Sequence, residues 1–131
     1  MSVFKYEDKS VCYGKGAVFL ARIDPNIADT DELLRSLYYL LWFPGYFGFN
    51  WNALYDCLRD LDWISENKVM IVHESLPGIP DSDLRIYLEV LKDCILDWVN
   101  DEKHQLEVYF NEKDQGEIER LLPSCNIINS M

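Results

Sequence analysis

Apolar positions recur along this chain with two different periods, and their alternation predicts a mixed α/β fold. Lys68 to His73 contains an unbroken apolar, β-branched run, the pattern of a central strand covered on both faces. Ala17 to Ile23 and Leu106 to Phe110 read as two further strands. Between them the period lengthens to that of helices. Leu33, Leu34, Leu37, Leu40 and Leu41 form one stripe, and Leu84, Leu88, Leu91, Ile95 and Trp98 form another, edged by Tyr87 and Cys94. Asp29 with Glu32 three residues later is an acidic capping signal for the first helix, which Pro44 is predicted to stop. Asp81 is predicted to cap the long helix from Ser82 to Val99, and Gln115 to Leu122 reads as a short helix ended by Pro123. Val11 to Tyr13, with Gly14-Lys15-Gly16, suits a hairpin or a leader into the first main strand. Strand, helix, helix, strand, helix, strand is the order of a small three-stranded parallel sheet with right-handed crossovers. An extra N-terminal edge strand and a short C-terminal helix complete the expected single domain of 131 residues.

Phe43 to Trp63 stands out from this frame. Tyr46, Phe47, Phe49 and Trp51 crowd around Pro44, Gly45 and Gly48, residues that set turn geometry. Asn50 is placed to cap the helix that follows. At 100° per residue Ala53, Leu54, Cys57, Leu58 and Leu61 share an apolar arc of roughly 140°, which a helix seated on a core requires. The opposite face presents Asn52, Tyr55, Asp56 and Arg59 at i, i+3, i+4, i+7, with Asp60 at its margin. Any amphipathic helix has a solvated side, and the face taken alone favours that reading; only its neighbouring loop brings an interface reading level with it. The neighbouring aromatic loop has the composition of an interface core.

Charge narrows the partners. Twelve Lys and Arg against 23 Asp and Glu leave a formal net charge of -11. That charge repels nucleic acid and anionic membrane and favours a basic partner. Cys12, Cys57, Cys94 and Cys125 are widely spaced, and Cys57 and Cys94 fall on apolar stripes. They read as buried thiols in a reducing compartment, so a cytoplasmic protein is expected, with no signal peptide and no membrane span. No nucleophile with its base, no metal cluster and no phosphate loop is evident; neither catalytic residues, metal nor cofactor are expected. His73 reads as a satisfied strand histidine, and His104, in a charged turn, as solvated. Asp56, Asp60 and Asp62 admit a metal-dependent hydrolase as an alternative, although the chain lacks the basic groove that holds substrate phosphates.

The run Pro44-Gly45-Tyr46-Phe47-Gly48-Phe49-Asn50-Trp51-Asn52-Ala53-Leu54-Tyr55-Asp56-Cys57-Leu58 resembles the signature of the barstar family, small acidic inhibitors of secreted ribonucleases. The resemblance extends by pattern over about residues 16–110, leaving 1–15 and 111–131 as extensions. It implies a barstar-like fold and an immunity protein, monomeric when free, that occludes the basic active-site cleft of a cognate nuclease toxin. Carried over by position, it implies Asp56 as the acidic anchor, Tyr55 as its aromatic neighbour, and Tyr46, Gly48, Asn50 and Asn52 as flanking contacts. Arg59 and Asp60 complete the expected surface. Asn52 stands where the family has Asp, and Arg59 adds a positive charge to the same face. Together they imply an altered target, less uniformly basic or offering a carboxylate to Arg59. An acid late in the long helix is also expected near the site, with Asp97, Asp101 and Glu102 as candidates. An adaptor using the same surface on a partner that is not a nuclease is the remaining alternative.

Overall fold

The computed structural model describes residues 3–7 and 18–123. Its sheet has four parallel strands: β1 (Lys5–Glu7), β2 (Val18–Ile23), β3 (Lys68–His73) and β4 (Gln105–Asn111). They lie in the order β1-β4-β3-β2. The helices are α1 (Thr30–Leu40), α2 (Trp51–Asp60), α3 (Asp81–Trp98) and α4 (Gln115–Leu121). β3 is central, as its apolar run predicted, with Val69 and Ile71 fully buried.

An N-terminal edge strand is present. β1 pairs in parallel with β4, Lys5 opposite Tyr109, on the far side of the sheet from β2. Phe4 explains the attachment, since its buried ring meets Phe110 edge-on with centroids 5.1 Å apart. The expected strand from Val11 to Tyr13, the Gly14-Lys15-Gly16 turn, Cys12 and Cys125 fall outside the described residues.

α1 opens as its sequence predicts. The Glu32 backbone N–H donates to Asp29 Oδ1 at 2.8 Å, while Glu32 Oε1 accepts from the Ala28 N–H at 2.7 Å. Its end does not wait for Pro44. The helix closes at Leu40, Trp42 turns left-handed with φ 58°, and the Phe43 N–H reaches back to Tyr38 O at 3.0 Å. This is the six-to-one bond of a Schellman cap. A residue before proline avoids the helical region, so the chain must already have left the helix at Phe43.

α3 also begins differently from the expectation. Pro80 holds the cap position without a side-chain bond, and Asp81 is the first helical residue. The Asp81 carboxylate is instead 3.1 Å from Arg120 of α4, tying the C-terminal helix to α3. α2 packs chiefly on α3. Trp98 fixes the pair, its indole N–H donating to Leu58 O at 2.7 Å.

Both histidines are buried. Tyr87 donates its hydroxyl to His73 Nε2 at 2.7 Å, while Nδ1 donates to Tyr109 O at 2.9 Å. Burial lowers the His73 pKa to about 4. His104 is not solvated: it is 2% exposed, with its ring nitrogens 2.9 Å from Glu66 O and Leu61 O. The backbone carbonyls that close α2 and the following turn draw it inward.

Candidate functional site: an acidic and aromatic loop-helix face

The loop from Pro44 to Asn50 is held from beneath by its own aromatics. Phe47 is buried, with its ring centroid 4.9 Å from those of Phe43 and Phe49. Tyr38 stacks on Phe47 at 6.0 Å, and Trp51 lies against Tyr87 at 6.1 Å. Of the four loop aromatics only Tyr46 projects fully, at 66% exposure. The others form a scaffold. Phe49 adopts φ 53°, a left-handed conformation costly for a bulky residue, which redirects the chain immediately before α2. Asn50 then accepts the Ala53 N–H at 2.8 Å and donates its amide to Gly48 O at 3.3 Å, stitching loop to helix. A Cβ added to Gly48 would come within 3.1 Å of Asn50 Nδ2, so the absence of a side chain there preserves the cap.

On α2, Leu54, Cys57 and Leu58 are buried and Asn52, Tyr55 and Asp56 are exposed, as the angular pattern predicts. Leu61 ends the helix in a left-handed turn with φ 48° and is itself fully buried. Burial, together with the carboxylates of Asp56 and Asp60, raises the Cys57 thiol pKa to about 11. Cys57 is therefore an inert core thiol.

The acids of this face divide into committed and uncommitted groups. Asp60 accepts the Tyr46 hydroxyl at 3.1 Å, clamping the loop tip to the end of α2. Partial desolvation and that bond raise the Tyr46 pKa. Asp97 of α3 accepts the Tyr55 hydroxyl at 2.5 Å and lies 3.3 Å from Arg59 Nε. The hydrogen bond to Asp97, then desolvation, raises the Tyr55 pKa. Of the three acids expected late in the long helix, Asp97 is thus the one brought to this face. Asp101 instead accepts the Lys103 N–H in the turn beyond the helix. Arg59 also stacks over Trp98, its guanidinium carbon 4.7 Å from the ring centroid. A carboxylate opposite Arg59 is therefore supplied within the chain. Asp56 differs: it is exposed and makes no hydrogen bond or ion pair with any described residue.

Beside Asp56 the surface dips between α2 and α3. Trp51, Asn52, Tyr55 and Asp56 line one wall of this open depression, and Ile86, Val90 and Asp93 of α3 line the other. The α3 residues were not foreseen, because Ile86 and Val90 sit on a helix whose apolar stripe lies a few positions away. Their exposed edge becomes visible only once α2 is laid beside it.

The acids do not converge as ligands. Asp60 turns to Tyr46 and Asp62 pairs with Lys103. Among the described residues no three His, Cys, Asp or Glu side chains are grouped to hold a metal ion. No helix of the described residues is long and apolar enough to cross a membrane.

The fold and this face define a small parallel α/β domain presenting an acidic and aromatic loop-helix surface. The family model described as Barstar (barnase inhibitor) matches residues 18–111, and the chain belongs to that family. The match spans β2 to β4 and includes the whole loop-helix face. No curated protein and no solved structure matches the chain significantly.

Proposed function

We propose that this chain is a cytoplasmic immunity protein that neutralises a cognate secreted nuclease toxin, a ribonuclease, by seating the Tyr46 to Asp60 surface in its active-site cleft. The observation that carries this reading is Asp56, an exposed carboxylate without a partner among the described residues, set in a preorganised face. An acid already paired within the chain offers a cationic cleft little; an unpaired one can replace the substrate phosphate there. Tyr46, Gly48, Asn50, Asn52 and Tyr55 surround it as flanking contacts. Arg59 holds Tyr55 and Asp97 in place and sits at the rim of the contact. The missing acid at Asn52 and the neutralisation of Asp97 by Arg59 fit a cleft less uniformly basic than the one the family is best known for blocking.

The test is RNA cleavage by the ribonuclease that the source cells secrete, titrated with the wild-type chain and with Asp56→Ala. Stoichiometric inhibition by wild type is expected, with at least a roughly tenfold rise in inhibition constant for the variant. An unchanged constant in a folded variant removes Asp56 from the role of anchor.

A further inference from the structure

Trp42 is not part of the loop-helix signature, yet its side chain is 74% exposed, and Tyr39, one helical turn earlier, is 72% exposed. The Trp42 indole makes no hydrogen bond and no ring contact with any described residue. Its backbone is left-handed, at the helix-closing position where glycine is the favoured residue. A tryptophan there gains little packing to offset the backbone strain, unlike Leu61, which adopts the same conformation fully buried. The ring stands as a ridge between two shallow depressions, one walled by Tyr38, Tyr39 and Phe43, the other by Phe19, Trp63 and Glu66.

We propose that Trp42 and Tyr39 form a second docking epitope for the same nuclease, receiving a lysine or arginine from the lip of its cleft. This rests on the reading above. Three observations choose that occupant. The patch is continuous with the loop-helix face: Phe43 contacts Phe47 of the loop, and Tyr38 contacts Phe49 beside the α2 cap. The adjoining aromatic cluster already holds a cation, the exposed Arg35 guanidinium 5.0 Å from the Phe49 ring centroid, so its ring faces suit a second one. A formal charge of -11 opposes association with another copy of this chain and favours a basic surface. Exposed aromatics beside a cleft-filling element supply a broad, rigid contact of the kind that governs dissociation.

Trp42→Gly separates this role from any part in folding, because glycine accepts the left-handed backbone without strain. The probe is the ribonuclease retained by immobilised wild-type chain from the medium of the source cells. Association and dissociation are measured for wild type, Trp42→Gly, Tyr39→Ser and Asp56→Ala, alongside thermal unfolding. The expected result is at least a tenfold faster dissociation for Trp42→Gly with a melting temperature that does not fall, and a smaller loss for Tyr39→Ser. Trp42→Gly binding like wild type while Asp56→Ala weakens overturns the second epitope and leaves the cleft reading standing. Unchanged binding by all three variants, or retention of no ribonuclease, overturns the cleft reading and this inference with it. A wild-type chain that sediments as a dimer and a Trp42→Gly monomer assigns the patch to a second copy and overturns the proposal.

Discussion

Arg59 is the residue on which the free form of the face depends most. Its Nε meets Asp97 at 3.3 Å, its guanidinium carbon lies 4.7 Å from the Trp98 ring centroid, and Asp97 in turn receives the Tyr55 hydroxyl. The ion pair is about one-third exposed on one side and 40% on the other, so solvent screens it to at most about 1 kcal/mol. The stacking contact adds about 0.5–1 kcal/mol. Arg59→Ala should therefore lower unfolding free energy in urea by about 1–2 kcal/mol. Arg59→Lys should not restore it, because an ammonium cannot bond through a planar edge and stack through a planar face at once. Equal stability of the lysine variant and wild type would show that charge alone suffices. The arrangement also explains why the sequence is ambiguous at this point: a lone Arg on an acidic helix face looks like a device aimed outward, and only the crossing of α2 over α3 turns it inward.

At the scale of elements, α2 is defined by one local bond and one long-range support. The local bond is the Asn50 cap. Asn50→Ala should cost about 1 kcal/mol of stability and weaken inhibition, since the freed first turn carries Asn52 and borders Gly48. Asn50→Ser should recover most of the stability, and a pair of urea titrations with matched inhibition assays checks both statements. Features of this local kind were legible in the sequence: the apolar arc of α2, the Asn50 cap, the Asp29 and Glu32 signal, the apolar run of β3. What was misread depends on partners far along the chain. Asp81 has the composition of a cap but is drawn to Arg120, 39 residues later. His104 lies among charged residues but is buried by carbonyls of the turn after α2. The end of α1 belongs to both kinds: Pro44 signalled that the helix must stop, whereas the left-handed Trp42 that stops it has no sequence signature, because glycine is the residue that signals such a turn. Asp97 is one of three acids that periodicity does not separate, and the packing of α2 on α3, which brings Tyr55 and Arg59 to Asp97, separates them.

Two consequences belong to the whole molecule, one from its net charge and one from its core. A charge of -11 acts over distances comparable to the Debye length of about 10 Å at 0.1 M salt. Raising salt from about 0.05 to about 0.5 M should slow association with a basic nuclease by roughly tenfold or more and change dissociation little, as stopped-flow mixing would show. The core has its own pH limit, independent of any partner. His73 joins β3 to β4 through Tyr109 and to α3 through Tyr87, and its ring is stacked on Phe110 with centroids 4.2 Å apart. Its Nε2 accepts the Tyr87 hydroxyl, so protonation there would leave two donors facing each other in a dry site. The folded pKa of about 4 lies below the value of about 6.5 in an unfolded chain. Above pH 6.5 neither state holds the proton, and the stabilisation is fully present. As pH falls the unfolded chain takes up a proton that the folded ring refuses, and stability declines until pH reaches about 4. At 1.36 kcal/mol per unit the His73 contribution should fall by about 2 kcal/mol between pH 7 and pH 5 and by roughly 3 kcal/mol in all. The ring resonances of His73 in the folded chain should accordingly show no titration between pH 8 and 5. A midpoint near 6.5 would mean that the Tyr87 hydroxyl can turn away at little cost, and that this junction of sheet and helix is looser than its distances indicate.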